Sequence, residues 1–178
     1  VEHVMDQLGE RIPYILDGGP CEVGVESTMV GWEGEDAIPT IWRKGGIPVE
    51  DIIDVLGPVV IKSESTSNPQ APGTLKSHYA PGKPLVLGPL DQLMEQYADQ
   101  HPALLLFGEP PRKEVSEAHQ FQLSSKGDLR EAAQRLFAGL RILDGLPSVE
   151  VILASPLPEK GLGMAINDRL RRASYRGA

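Results

Sequence analysis

The pattern of hydrophobic and polar positions changes at about residue 84 of this 178-residue chain. Beyond that point, short continuous apolar runs alternate with segments whose apolar positions recur every three to four residues. Continuous runs are typical of strands buried on both faces, and the longer spacing is typical of amphipathic helices. The expected strands are PLVLG, PALLLFG, HQFQLS and VEVILASP, and the expected helices are residues 90–100, DLREAAQRLFAGLRIL and GMAINDRLRRAS. Residues 84–178 are therefore predicted to form a small Rossmann-like, doubly wound domain with a parallel sheet.

The first 61 residues contain fewer elements. A helix ended by Pro13 is predicted at the start, because its apolar positions share one face: Val1, Val4, Met5, Leu8 and Ile12. The segments YILDGGP, VGVESTMVGW and AIPTIWRKGGI are expected strands, and PVEDIIDVLG is an expected helix that stops at Gly57. Such a set leaves sheet edges and an apolar face uncovered, so this part is predicted to be the end of a larger α/β domain.

Between the two patterns, residues 62–83 are rich in Ser, Pro, Gly and Asn. This composition predicts a long linker. Lys76, His78 and Tyr79 lie together between two Pro-Gly turns in it, and loops of this length are often functional lids. A surface-packed connection with no function of its own is the alternative interpretation.

The net charge of −8 is unevenly distributed. Residues 1–82 contain 5 basic and 13 acidic residues, whereas residues 83–178 contain 12 of each. Acidic surface repels nucleic-acid phosphates, which disfavours a free-standing RNA- or DNA-binding module. Arg169, Arg171 and Arg172 are expected to complement a helix C-terminus or to form a solvated edge rather than to bind RNA.

Cellular location is constrained only loosely. No apolar run approaches the roughly 20 residues that a membrane span needs. The single cysteine, Cys21, cannot form an internal disulfide, and it is expected to be a small packed residue because no general-base partner for it can be identified. A cytoplasmic location is the expectation.

Residues 17–32, DGGPCEVGVESTMVGW, combine four glycines with the carboxylate of Glu26 and two adjacent hydroxyls. Glycines let a backbone approach a ligand closely, and a short hydroxyl can bind a carboxylate without filling a pocket. The ordinary alternative is that Gly18 and Gly19 form a turn and that Ser27 and Thr28 are unexceptional strand residues.

Four stretches together resemble the YrdC/Sua5 family in its long, two-domain form, the L-threonylcarbamoyladenylate synthases. They are DGGPCEVGVESTMV, IWRKGGI, APGTLKSHYAPGKPL and GLGMAINDRLRRA, and they occur in the family's order. The resemblance matches the family's second half, since its N-terminal Lys-x-Arg and Ser-x-Asn motifs do not appear. It implies a division into residues 1–61, the C-terminal part of a YrdC-like catalytic domain, residues 62–83, a linker or lid, and residues 84–178, a Sua5-type C-terminal α/β domain.

The resemblance implies a nucleotidyltransferase that joins L-threonine, bicarbonate and ATP into threonylcarbamoyl-adenylate and pyrophosphate. The product would serve downstream proteins that modify tRNA adenosine 37. Mg²⁺ would arrive with ATP and be held chiefly by its phosphates, so no protein-built metal site is expected. Without the missing half the chain is expected to be inactive alone, and neither membrane association nor stable direct nucleic-acid binding is expected. The alternatives are a non-catalytic nucleotide- or RNA-binding regulatory module and, for residues 83–178, a purely structural interaction domain.

The family's pattern also implies site residues. Ser27 matches the residue that faces threonine, Arg43 the arginine that contacts the nucleotide, and Tyr79 the tyrosine that closes over ATP. No catalytic residue in the strict sense is identified. The supporting candidates are Thr28, Lys44 and His78.

Three of these positions carry further expectations. Thr28 should point to the opposite face of its strand from Ser27. Lys44 stands where the family commonly has proline, which removes a φ restraint and adds a cation near the phosphates. Glu26 is interpreted as structural, holding a turn or a cation, because an unpaired carboxylate beside anionic substrates is unfavourable. Ser27, Arg43 and Tyr79 are predicted to converge on one concavity beside the linker.

Overall fold

A computed structural model describes residues 1–32, 38–62 and 79–175 of the chain. The N-terminal region contains helix α1 (Glu2–Leu8), strands β1 (Met29–Gly31) and β2 (Thr40–Arg43), helix α2 (Val49–Leu56) and strand β3 (Val60–Ile61). Strand β2 lies at the centre of a small sheet, antiparallel to β1 and parallel to β3. Helix α2 was predicted, and it ends at Gly57, whose φ of 75° favours glycine.

Three expectations for the N-terminal region were wrong. Helix α1 ends at Leu8, with Gly9 as its cap, and its apolar positions are largely exposed: Val1 is 52% and Met5 62% accessible. The segment YILDGGP forms no strand, and Cys21 is exposed rather than packed. Strand β3 was missed because two residues cannot display a period of two.

The C-terminal region is built on a four-stranded sheet. Its strands are β4 (Leu85–Leu87), β5 (Pro102–Phe107), β6 (Gln120–Ser124) and β7 (Val151–Ala154), and their spatial order is β4-β7-β5-β6. Every neighbouring pair is parallel. The last strand in the sequence is therefore inserted between the first two.

Three helices cover the two faces of this sheet: α3 (Leu90–Gln96), α4 (Leu129–Asp144) and α5 (Leu162–Ser174). The α3 face buries alternate residues of β5 and β7, namely Leu104, Leu106, Val151 and Leu153. The opposite face packs the intervening residues against α4 and α5, including Ala103, Leu105, Ile152 and Ala154. Helices on both faces explain the continuous apolar strands and confirm the predicted parallel-sheet α/β fold.

Local sequence explains where these elements begin and end. Helix α4 starts at Asp128, whose carboxylate accepts hydrogen bonds from the backbone N–H groups of Arg130 and Glu131 at 2.7 and 3.0 Å. The helix expected over residues 90–100 is instead α3 followed by a 3₁₀ turn, Ala98–Gln100.

Among the described residues, no helix is both long and apolar enough to cross a membrane.

The segment before β1 packs directly on the C-terminal region. Gly24 adopts φ +76°, and a Cβ there would lie 2.3 Å from the Cα of Gln134 in α4. The Gln134 side chain donates a hydrogen bond to the backbone carbonyl of Glu22, and Val25 packs on the larger core. Further along, the Gly161 N–H donates to the Glu50 carboxylate at 3.0 Å. The two regions are therefore joined by one close backbone approach that requires glycine, at Gly24, and by side-chain contacts on either side of it.

Candidate functional site

The site is built where the segment before β1 meets the loop after β2. The Gly46 N–H donates to the Glu26 carbonyl at 2.8 Å. A Cβ on Gly45 would lie 2.3 Å from the Glu26 carbonyl oxygen and 2.4 Å from the Ser27 carbonyl carbon, closer than real Cβ atoms come. Glycine at position 45 therefore allows the two backbones to lie against each other.

Three of the four glycines in residues 17–32, Gly18, Gly19 and Gly24, are explained by the chain's own structure. Gly19 has φ +80° and donates its N–H to the Asp17 carboxylate at 2.9 Å, and nothing lies within 4 Å of a Cβ on Gly18. The Asp17 side chain thus closes a local turn over Gly18 and Gly19, as one part of the ordinary interpretation held. Its other part is wrong, because Ser27 and Thr28 precede β1 and are not strand residues. Gly24 approaches helix α4 rather than a ligand.

Arg43 and Ser27 are in direct contact. The Arg43 guanidinium donates to the Ser27 carbonyl from Nε at 3.1 Å and from Nη2 at 3.0 Å, and Nη2 also reaches the Ser27 hydroxyl at 3.1 Å. Strand pairing of Met29 with Arg43 sets this approach, since it brings the end of β2 beside the residues that precede β1. Ser27 is exposed and Arg43 is half-buried, so both groups remain accessible from solvent.

Tyr79 joins the site through Glu26. Its phenol donates to Oε1 of Glu26, its ring lies 5.2 Å from that of Phe137, and its φ of 64° is unusual for a residue other than glycine. Burial and this hydrogen bond raise the pKa of Tyr79 to about 12, although the positive charges of Arg169 and Arg43 oppose the shift. The phenol is therefore a hydrogen-bond donor at neutral pH.

The structure adds a site residue that the sequence reasoning placed elsewhere. Arg169 in α5 is 0% exposed, and its Nε and Nη2 donate to Oε2 of Glu26 at 3.1 and 2.8 Å. Its Nη1 donates to the Lys44 carbonyl at 2.7 Å. Burial alone raises the pKa of Glu26, but the hydrogen bonds from Tyr79 and Arg169 and the Arg169 charge outweigh it and hold that pKa below its ordinary value. This confirms the interpretation of Glu26 as a carboxylate that holds a cation.

The solvated edge expected of the three α5 arginines was therefore wrong for Arg169 and Arg172, although Arg171 and Arg172 do lie in the last turn of α5, where basic side chains complement a helix C-terminus. Arg169 and Arg172 are buried, and Arg172 donates to both oxygens of Asp168 at 2.9 and 3.1 Å. Only Arg171 matches the expected solvated edge, with a half-exposed side chain paired to Glu159 at 2.9 Å. The sequence contained one sign that Arg169 is buried. It lies four residues from Ala165 and four from Ala173, and both alanines are on the buried face of the helix.

The comparisons with known proteins bear on this arrangement. Residues 47–174 match a family model described as threonylcarbamoyl-AMP synthase, C-terminal domain. The chain belongs to the threonylcarbamoyl-AMP synthase family. Two curated threonylcarbamoyl-AMP synthases, from Bacillus subtilis and Pyrococcus abyssi, are 34% and 32% identical to it over 97% of the chain. The chain spans about half the length of these relatives, 52% of each.

Solved structures agree with the sequence matches to the threonylcarbamoyl-AMP synthase family. The crystal structure of P. abyssi Sua5 complexed with L-threonine superimposes with a TM-score of 0.81 at 32% identity, covering 97% of this chain and 52% of that one. A variant of the same protein, in which consecutive His and Tyr residues are replaced by Ala, gives a TM-score of 0.80 at 31% identity. The resemblance and the fold inferred from the sequence are both confirmed.

The supporting candidates have different positions. The Thr28 hydroxyl donates to the Ile47 carbonyl at 2.6 Å and accepts from the Ile47 N–H at 3.0 Å, so it ties the segment to the loop after β2. Lys44 contributes its carbonyl to Arg169. His78 lies outside the described residues. Within residues 1–32, 38–62 and 79–175, no three His, Cys, Asp or Glu side chains are grouped so that they could hold a metal ion.

Tyr79 also lines a cavity of about 610 Å³, together with Phe137, Leu140, Arg141 and Asp144. The described residues that line this cavity do not include Ser27 or Arg43. Arg43 and Ser27 are in contact, and Tyr79 bonds to Glu26, the residue before Ser27. The convergence of all three on one concavity stays a prediction. Their separate roles toward substrates remain predictions.

Proposed function

We propose that this chain is the second half of an enzyme that joins L-threonine, bicarbonate and ATP into threonylcarbamoyl-adenylate and pyrophosphate. Membership of the threonylcarbamoyl-AMP synthase family supports the reaction, and the L-threonine complex of a relative supports threonine as a substrate. The product would pass to proteins that place the threonylcarbamoyl group on tRNA adenosine 37.

The observation that carries the proposal is the Arg43–Ser27 contact. The reaction needs an amino-acid carboxylate and a triphosphate side by side, with charge on the α-phosphate stabilised during transfer. A hydroxyl 3.1 Å from a guanidinium offers adjacent contacts to two anionic groups. Ser27 would bind the threonine carboxylate, and Arg43 would bind the nucleotide phosphates through its planar fork of donors.

Tyr79 would close over ATP from the linker. Its phenol is kept as a donor, and its ring can stack on a base. The chain contains one His-Tyr pair, His78-Tyr79, and the solved His-to-Ala, Tyr-to-Ala variant shows that a pair of this kind has been a target of substitution in a relative. Mg²⁺ would enter as the partner of ATP and be held by phosphate oxygens.

The domain boundaries belong to the same proposal. Residues 1–61 would be the end of the catalytic domain, residues 62–83 the lid, and residues 84–178 the C-terminal domain. The exposed apolar side chains of α1 and α2, among them Met5, Ile53 and Val55, support a larger domain around the first part. The chain alone would be inactive, because in the family the other half supplies the Lys-x-Arg cations and the Ser-x-Asn groups.

The test is pyrophosphate release from ATP, measured with the purified chain alone and with a second chain that carries the missing motifs. We expect release only with the second chain present, and only when both threonine and bicarbonate are supplied. Omitting each substrate in turn provides the control. Turnover by the chain alone at about 1 per second or more, an ordinary enzymatic rate, would show that the half-site interpretation is wrong.

A further inference from the structure

We propose that Arg169 is a positioning residue for this site, through which helix α5 holds Ser27 and Arg43 in register with each other. The inference rests on the proposed function of the site. It assigns to the C-terminal domain a direct part in substrate binding, made by a side chain that is itself shielded from solvent and does not touch the exposed Ser27 hydroxyl.

The first step is which atoms Arg169 contacts. On one side its Nε and Nη2 bind a single carboxylate oxygen of Glu26, the residue immediately before Ser27. On the other side its Nη1 binds the carbonyl of Lys44, the residue immediately after Arg43. One guanidinium plane therefore spans the two segments next to the two proposed substrate contacts.

The second step is the geometry of the side chain. Guanidinium donors diverge in a fixed plane, so the separation of the Glu26 carboxylate from the Lys44 carbonyl is set by the arginine itself. A lysine carries the same charge on one nitrogen and cannot reproduce two donors to one oxygen and a third in another direction. Because the Arg169 side chain is fully buried, water cannot take the place of a hydrogen-bond partner that it loses.

The third step is how Arg169 is held in place. Asp168 accepts from Nη1 of Arg169 at 3.1 Å and from Arg172 on the same helix at 2.9 Å. The guanidinium also lies 5.9 Å from the Tyr79 ring, and the second oxygen of Glu26 accepts from the Tyr79 phenol. The third proposed substrate contact therefore depends on the same carboxylate that Arg169 orients.

A merely structural ion pair and a positioning residue predict different kinetics. Loss of a structural pair lowers the fraction of folded protein, which reduces kcat and leaves both apparent KM values unchanged. Loss of positioning displaces Ser27 and Arg43 relative to each other, so the apparent KM values for threonine and for ATP should both rise. Misplacement by about 1 Å can cost on the order of a hundredfold in rate, and we expect a loss of that size in kcat/KM.

The variants are Arg169→Lys and Arg169→Gln, with Arg171→Lys and Arg171→Gln as matched controls. Arg171 lies on the same helix, is half-exposed and pairs with Glu159 outside the site. Kinetics are measured on the complete enzyme, meaning this chain assembled with the half that its relatives carry. We expect Arg169→Lys to impair both KM values nearly as much as Arg169→Gln, and both Arg171 variants to behave like wild type.

Hydrogen exchange on the chain by itself provides a readout that does not depend on the reaction. In both Arg169 variants, amide exchange over residues 24–29 and 43–47 should accelerate, while exchange in strands β5 and β7 stays slow. The Gly46 N–H, which bonds to the Glu26 carbonyl, is the most direct probe. Glu26→Gln weakens the same contact by changing its more exposed partner. This variant tests the inference if the Arg169 variants fail to fold.

Two results would overturn the inference: unchanged exchange over residues 24–29 and 43–47 in the Arg169 variants, or a reduced kcat with both KM values at wild-type level. An assembled wild-type enzyme that binds neither threonine nor ATP would instead contradict the proposed function. In that case the exchange measurement still decides whether Arg169 holds the two segments together.

Discussion

The two regions of this chain differ in how far their hydrophobic side chains are buried. Among the described residues, the buried hydrophobic positions lie almost entirely after residue 84, and the exceptions are Ile41 and Val49. Of the exposed large hydrophobic side chains that the structure describes, only Ile142 and Tyr175 lie after residue 62. The C-terminal region therefore closes its own core, whereas the N-terminal region leaves apolar surface in water.

The contrast shows how a site can be ordered by a neighbour rather than by its own domain. The segment that carries Ser27 has little core beneath it in its own region, and it rests on α4 and α5 through Gly24, Val25 and Glu26. Contacts made by the C-terminal region therefore add to the strand pairing of Met29 with Arg43 in holding this segment. The following experiments test this difference between the regions.

The largest expected effect is on stability. Leu136 in α4 is 0% exposed and Leu56 in α2 is 39% exposed. Leu136→Ala should lower the free energy of unfolding by about 2 to 5 kcal/mol, because it removes buried surface and leaves a cavity. Leu56→Ala should change it by no more than about 0.5 kcal/mol. Urea unfolding followed by circular dichroism measures both, and equal losses would contradict the comparison.

A glycine pair tests the backbone contact at the site. Gly45→Ala forces a Cβ against the Glu26 and Ser27 backbones and should cost about 1 to 3 kcal/mol of stability. It should also weaken threonine binding in the complete enzyme. Gly18→Ala places its Cβ in open space and should leave both quantities within about 0.5 kcal/mol of wild type. If Gly45→Ala behaved like Gly18→Ala, the close packing at position 45 would be refuted.

The proposed roles of Arg43 and Ser27 can be separated in the complete enzyme. Arg43→Ala should raise the apparent KM for ATP more than that for threonine, and Ser27→Ala should do the reverse, each by about tenfold for the affected substrate. Ser27→Ala removes only the hydroxyl and keeps the Ser27 carbonyl that Arg43 binds. Its effect on threonine can therefore be separated from a displacement of Arg43. Equal effects on both substrates would argue against the division of roles.

The smallest expected effect concerns pH. The folded-state pKa of Glu26 lies below its ordinary value of 4.5, so its ionised form stabilises the fold above that pH, and this contribution is lost as the pH falls through the lowered pKa. Glu26→Gln should therefore be less stable than wild type at pH 7, and the difference should shrink toward pH 3. Urea unfolding at several pH values measures this difference in the free energy of unfolding. A difference that grows as the pH falls would show that folding does not lower the pKa of Glu26.

Sequence reasoning succeeded where one element carries its own pattern. Strands β4 to β7 and helices α4 and α5 were all predicted, because the apolar periodicity of each segment is a local property. It failed for YILDGGP, whose composition suits a strand but which pairs with nothing, and for the apolar face of α1, which packs on no core within the described residues. Strand formation needs a partner, and a single segment does not specify one.

The amino-acid sequence by itself determined the alternating α/β architecture of the C-terminal region, the family, and the candidates Ser27, Arg43 and Tyr79. Tertiary structure alone decided that β7 enters the middle of the sheet and that Arg169 meets Glu26, 143 residues away along the chain. Periodicity reports which face of an element is apolar, but not which distant element covers that face. A buried arginine is placed only by the carboxylate and carbonyl that satisfy its donors, and those partners come together only when the chain has folded.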